Sequence, residues 1–303
     1  MIDLLTLFSN NLLPIFLASG AGFLVARYLG VNPRSVSKIA FYIFSPCLVF
    51  SLLTSDQLNG DAITQMAVFA ALIVLIMGVI TALIGFVLRF ERSIIIALML
   101  TVMFGNAGNF GLSLNLFAFG EEALVYASVY FVTSAILVYT VGIVLASWGK
   151  SNLRASMLGV LKVPVVYTVI LALVFRAFNL SLPLPIDRTV SILSDAAIPV
   201  MMVLLGIQLY HAKWSESTFS LGLSNFLRLV VSPALAIGLG LLFQFEGPAY
   251  QAAVIESAVP TAVLVTVLAT EYNIQPAFMT TAVFTSTLLS PLTITPLLAI
   301  LGA

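Results

Sequence analysis

The sequence predicts an all-α integral membrane protein whose ten transmembrane helices form two inverted five-helix repeats. Three observations predict this: an apolar composition, apolar runs about twenty residues long, and landmarks that recur halfway along the chain. Of 303 residues, 61% are hydrophobic and 8% charged, with a mean hydropathy of +1.16. A soluble domain carries about 25% charged residues, so this chain cannot face water over most of its area. Transmembrane barrels alternate apolar and polar positions in roughly ten-residue segments, which is not the pattern here.

A helix needs about 20 residues to cross roughly 30 Å of hydrocarbon. That length marks spans at 5–27, 36–54, 64–88, 93–119, 123–147, 159–178, 188–210, 218–243, 249–270 and 277–300. Little remains for connections, so no soluble domain is expected and function lies within the bilayer. Asp3 precedes the first apolar stretch and no Lys or Arg occurs before Arg27, which is not the pattern of a removable signal peptide.

Basic residues orient the spans. Connections after odd-numbered spans hold Arg27, Arg34, Lys38, Arg89, Arg92, Lys150, Arg154, Lys162 and Lys213, whereas those after even spans hold only Arg176 and Arg188. The acids Asp56, Asp61, Glu121, Glu122 and Glu246 gather on that second side. The odd connections are therefore expected to be cytoplasmic and both termini outside. Trp148, Trp214, Tyr28 and Tyr210 fall near span ends, where interfacial aromatics belong.

Five spans precede the basic connection at 148–158 and five follow it, so the second half must cross the membrane in the opposite sense. The halves are 1–150 and 151–303. Pro14 answers Pro164, Pro46 answers Pro199, and Asn106 to Gly111 answers Pro260, at offsets near 150 residues. Equal halves of opposite direction are a common construction of secondary transporters.

Span four contains Gly105-Asn106-Ala107-Gly108-Asn109-Phe110-Gly111-Leu112-Ser113, a run of poor helix formers. Broken backbone at membrane depth is tolerated only where protein or a water-filled cavity satisfies it. Close helix packing is the alternative, since Gly105, Gly108 and Gly111 share one face; the paired asparagines favour a site-forming break. Span nine holds Glu256-Ser257-Ala258-Val259-Pro260-Thr261. Pro260 removes a donor and frees the carbonyl of Glu256. An intramembrane carboxylate is costly unless protonated, paired or hydrated, so Glu256 is a functional candidate; otherwise it reaches the outer interface or bonds a neighbouring helix. Asp195 repeats the acid-to-proline spacing with Pro199, nearer the outer end, in either a capping or a site role. Arg228 either snorkels to the interface or lines the route of an anion. Ser45 and Pro46 in span two either expose a carbonyl to the site or mark a kink.

Enzyme chemistry lacks its parts. One histidine, His211, excludes a His-based metal pair and one cysteine, Cys47, a thiolate cluster. No Gly-rich phosphate loop follows a strand. A formal net charge of zero provides no basic nucleic-acid face. The chain is expected to be no enzyme and to use no organic cofactor.

These residues resemble the auxin efflux carrier family, which includes plant PIN exporters and bacterial permeases for malonate or malate. Leu13-Pro14-Ile15-Phe16 with Gly20 and Gly22 is similar to the family's first span. Tyr42-Ile43-Phe44-Ser45-Pro46-Cys47-Leu48 is similar to its second, and Ala197-Ile198-Pro199 with Gly206 to its seventh. Asn106 through Gly111 and Ala258-Val259-Pro260-Thr261-Ala262 resemble its fourth and ninth. The chain departs from the family at Ser113, where proline is frequent, and at Val163-Pro164, where Asn-Pro is frequent.

The resemblance implies a fold like that of bile acid symporters and sodium–proton antiporters. Helices four and nine would break and cross beside the substrate, and a scaffold and a transport domain would assemble as a homodimer. The expected function is elevator-type secondary transport of small carboxylates such as malonate, malate or auxin-like acids, in a bacterial inner or plasma membrane. The substrate-facing set is Asn106, Asn109, Gly111, Ser113, Pro260, Thr261, Ser45 and Pro46. Ion coupling falls to Glu256, Asn106, Asn109 and Asp195, with H⁺ as the ion or Na⁺ at Asn106, Asn109 and Glu256. The rival reading is a membrane sensor that binds a small molecule or lipid without moving it.

Overall fold

The computed structural model describes residues 3–55, 60–147, 164–211 and 218–303, and among these it is entirely helical, without a β-strand. Seven helices are long and apolar enough to cross a membrane: α1 (Leu4–Leu29), α2 (Pro33–Thr54), α3 (Gly60–Val87), α5 (Ala107–Ser147), α7 (Leu184–Tyr210), α8 (Thr218–Leu242) and α11 (Pro276–Leu301). Between them lie the shorter apolar helices α4 (Arg92–Met103) and α6 (Pro164–Ala177), and the short helices α9 (Gly247–Ala258) and α10 (Leu264–Glu271). The proposed junction of the halves at 150/151, Asp56, Lys150, Arg154, Lys162, Val163, Lys213, Trp148 and Trp214 lie outside the described residues.

The runs expected as spans four and nine are each interrupted, between α4 and α5 and between α9 and α10. α5 turns sharply at Gly120, whose φ of 80° and ψ of −167° suit only a residue without a side chain. Residues 107–119 thus form a first leg between the break and the turn at Gly120.

Prolines also shape intact helices. Wide π-turns at Phe8–Leu12, Ala40–Phe44 and Leu227–Val231 each precede a proline by two residues: Pro14, Pro46 and Pro233. Proline lacks a donor and crowds the carbonyl of the preceding turn, and a π-turn absorbs such a mismatch without ending the helix. At Pro46 the Ser45 hydroxyl donates to Ala40 O at 2.9 Å. Ser45 and Pro46 therefore make a repaired wide turn: the Ser45 hydroxyl serves its own helix.

α1, α2, α6 and α7 pack mainly with one another, α1 along α7 and α6 along α2. α1 and α7 meet backbone to backbone: a Cβ on Gly22 would strike Val203 O, and one on Gly206 would strike Ser19 O. Ser19 Oγ donates to Met202 O at 3.0 Å across the same contact. α3, α4, α5, α8 and α9 form the other group. Bulky apolar side chains such as Leu17, Leu24, Val79, Leu83 and Phe86 are exposed on the outside, an arrangement suited to lipid and costly in water.

Candidate functional site at the paired breaks

The two breaks touch. Gly105 and Thr261 form an isolated antiparallel bridge, in which Asn106 N donates to Pro260 O at 2.7 Å and Ala262 N to Phe104 O at 2.9 Å. Each break thereby satisfies the other's backbone, as irregular chain inside a membrane protein must. The expected interruption of span four is present, and it falls at 104–106, immediately before the asparagine-rich turn.

The glycines of span four make room for side chains, not for a neighbouring helix backbone. A Cβ on Gly105 would collide with the Arg228 guanidinium, and one on Gly111 with the Glu256 carboxylate. A Cβ on Gly108 would come within 2.8 Å of the Phe131 ring. Beyond Asn106 the chain forms the π-turn Ala107–Leu112, whose first bonds run from Phe110 N and Gly111 N to Asn106 O at 3.2 and 3.0 Å.

Glu256 is fully buried in α9. Its Oε1 accepts from Asn115 Nδ2 at 3.0 Å, and Asn115 Nδ2 also donates to Gly111 O at 2.9 Å. Among the described residues, four buried side-chain polar atoms lack a hydrogen-bond partner: Asn106 Nδ2, Ser113 Oγ, Asn115 Oδ1 and Glu256 Oε2. Buried polar groups are normally paired, so these atoms are the candidates for contact with a ligand. Asn115 was missed in the sequence because it stands outside the glycine-rich run. Its one visible signal is the i, i+4 spacing from Gly111, which puts both on one helix face.

The remaining expected site residues divide. Asn109 is half-buried and turns away from Glu256, donating from Nδ2 to Gln208 Oε1 of α7 at 3.3 Å, while Gln208 Nε2 donates to Ser37 Oγ of α2 at 3.3 Å. Gln208, unnoticed in the sequence, thus links the first leg of α5 to α2 and α7. Thr261 is fully buried and committed: its Oγ1 donates to Thr101 O at 2.9 Å and its N to Ser286 Oγ at 3.1 Å. Pro260 serves through its carbonyl. Asp195 is exposed on α7 and is not brought into this cluster.

Arg228 corrects the snorkelling expectation. The side chain is 1% exposed and is the largest of the fully buried ones. Nε donates to Val259 O at 2.8 Å, Nη1 to Val102 O at 3.1 Å, and Nη2 to Glu256 O and Ser257 O, both at 3.2 Å. The Glu256 carbonyl freed by Pro260 thus finds its donor in Arg228. Glu256 likewise does not reach an interface.

The chain belongs to the membrane transport protein family, whose model matches residues 7–157 and 149–298. It is 26% identical over 275 residues to an uncharacterised transporter of Methanothermobacter thermautotrophicus, covering 88% of this chain and 89% of that protein. A second uncharacterised transporter, from Methanocaldococcus jannaschii, is 28% identical over 275 residues, 87% of this chain and 88% of that one. Auxin efflux carrier component 7 of Arabidopsis thaliana is 30% identical over 130 residues, 41% of this chain and 20% of the plant protein.

Proposed function

We propose, from that membership, that the protein is a secondary transporter of small organic anions, malonate, malate and auxin-like acids being the class to test. In this reading ten spans form two inverted repeats, with α4 and the first leg of α5 as a broken fourth span and α9 and α10 as a broken ninth, crossing at 104–106 and 259–263. The contacts are consistent with such symmetry: α1 on α7 and α6 on α2 are counterparts once the halves are exchanged. The group of α1, α2, α6 and α7 would be the scaffold of an elevator. Both termini would face outside, in the plasma membrane, and the protein would work as a homodimer.

The observation that carries the reading is Asn106 Nδ2, a buried donor without an acceptor at the start of a helix. A helix N-terminus attracts negative charge, and a free amide donor there suits a carboxylate. The Glu256 carboxylate lies against Gly111 within the same first turns, so an ionised Glu256 would repel an arriving anion. Protonation of Glu256 would remove that repulsion and couple anion entry to H⁺. Two free oxygens that meet there, Glu256 Oε2 and Asn115 Oδ1, are of the kind that Na⁺ would also accept. Asn115 replaces Asn109 in this role, because Asn109 is turned to Gln208.

Uptake of labelled malonate, malate and indole-acetate into proteoliposomes, under imposed proton, sodium and voltage gradients, tests this. Saturable uptake of one anion, abolished by Asn106→Ala or Pro260→Ala in folded protein, is expected. Wild-type flux in both variants would remove the site. Binding without any movement in well-reconstituted protein would replace the transporter with a sensor.

A further inference from the structure

We infer that Arg228 is the positioning residue that cancels the negative ends of two converging helices and so leaves the paired breaks with the sign of an anion site. The reasoning begins with what an arginine does in this place. All four of its hydrogen bonds go to backbone carbonyls, and none goes to a carboxylate. Val102 O lies in the last turn of α4, while Glu256 O, Ser257 O and Val259 O lie at the end of α9. Those are the carbonyls that a helix leaves without an internal partner.

A helix C-terminus carries about −0.5 of an elementary charge. Two of them meeting at one point total about −1, and one guanidinium returns about +1. Of the opposite ends at the breaks, the start of the first leg of α5 faces the Glu256 carboxylate at Gly111, so the surplus is positive when Glu256 is protonated, the state in which the proposed anion enters. What remains is a positive field on the side where Asn106 Nδ2 is free. Without Arg228 the four ends would sum to nearly nothing, and the crossing would favour neither sign. A planar fork is needed as well as a charge, since one group must serve carbonyls on two helices; lysine presents a point charge without that geometry. Gly105 is the matching concession on the other side, because any Cβ there would occupy the guanidinium's place.

The inference depends on the anion-transport reading only for the ligand's charge; the clamping of the two helix ends is tested without it. Hydrogen–deuterium exchange on the full-length protein should show amides at 102–106 and 258–262 exchanging about tenfold or more faster in Arg228→Met than in wild type, since hydrogen bonds to a charged donor are lost at both ends. Unchanged exchange would overturn the clamp. For whichever carboxylate the wild type transports, Arg228→Met should raise KM about tenfold or more, as loss of such a bond implies, while an uncharged amide analogue competes as before. Arg228→Lys should restore most of the KM but not the slow exchange. A KM equal to wild type in Arg228→Met would overturn the charge assignment, as would equal losses for the anion and the amide. Should Arg228→Met not fold, Gly105→Ala displaces the guanidinium without removing its charge. Faster exchange there supports the clamp, and wild-type exchange and KM together overturn the inference. A wild type that moves no anion sinks the transport reading and leaves exchange to decide the clamp.

Discussion

The two breaks, at 104–106 and at 259–263, lie against each other, yet their side chains are used differently. The second, around Pro260, has its helix-end carbonyls and Thr261 engaged. Arg228 takes the carbonyls of Glu256, Ser257 and Val259, and Ser232 Oγ also donates to Ser257 O at 2.7 Å. Thr261 is tied to Thr101 and Ser286. The first break leans on the second through two backbone bonds, while the leg that follows keeps Asn106 Nδ2, Ser113 Oγ and Asn115 Oδ1 free. One break is braced by side chains, and the other has polar atoms without a protein partner. The backbone supplies two interruptions; side chains decide which is braced.

The largest effect expected is at Glu256, where the two regions meet. Glu256→Ala strips Asn115 of its partner and should lower transport on the order of 100-fold, about 2.7 kcal/mol, in an uptake assay with matched protein. Glu256→Gln keeps an acceptor for Asn115 and should fold normally, but uptake should stop responding to an imposed proton gradient. A Gln variant still driven by that gradient would end the proton role.

Next comes the contrast between the breaks. Asn106→Ala should raise KM about tenfold, near 1.4 kcal/mol, with little change in melting temperature. Thr261→Val should do the reverse, losing one buried hydrogen bond worth about 1 kcal/mol and showing it mainly as a lower melting temperature. If both variants lose affinity alike, the division into braced and ligand-facing break is wrong.

The smallest change is at Gln208. Its bonds to Asn109 and Ser37 are long, 3.3 Å each, and half-exposed. Gln208→Ala should cost about 0.5 kcal/mol, at the low end for such bonds, and alter the rate of uptake about twofold with KM kept. No change in rate would mean that this link between the first leg and α7 does not resist its movement.

Much of this was legible in advance, and for identifiable reasons. Gly105 through Gly111 and Pro260 announced the breaks because poor helix formers and a missing donor act locally. Glu256 stood out because a carboxylate in an apolar run is expensive wherever it sits. Asn115 and Gln208 did not stand out, since a lone amide in a helix has no local consequence to betray it. Arg228 was visible as a charge in a span, but its sequence left open where it points, because a long stem can reach an interface just as well as a buried carbonyl.

Composition, run length and backbone-breaking residues placed the chain in a bilayer, as helices, with interruptions in two of them. These are properties of short segments, set by the cost of exposing or burying each residue and its own peptide group. Pairing is another matter. Arg228 bonds Val102 across 126 positions, Asn115 meets Glu256 across 141, and Asn109 meets Gln208 across 99. Nothing in the local chemistry of those residues specifies such partners. Only the packed helices bring the ends of α4 and α9 to one guanidinium, and so settle which polar atoms find a partner within the protein and which do not.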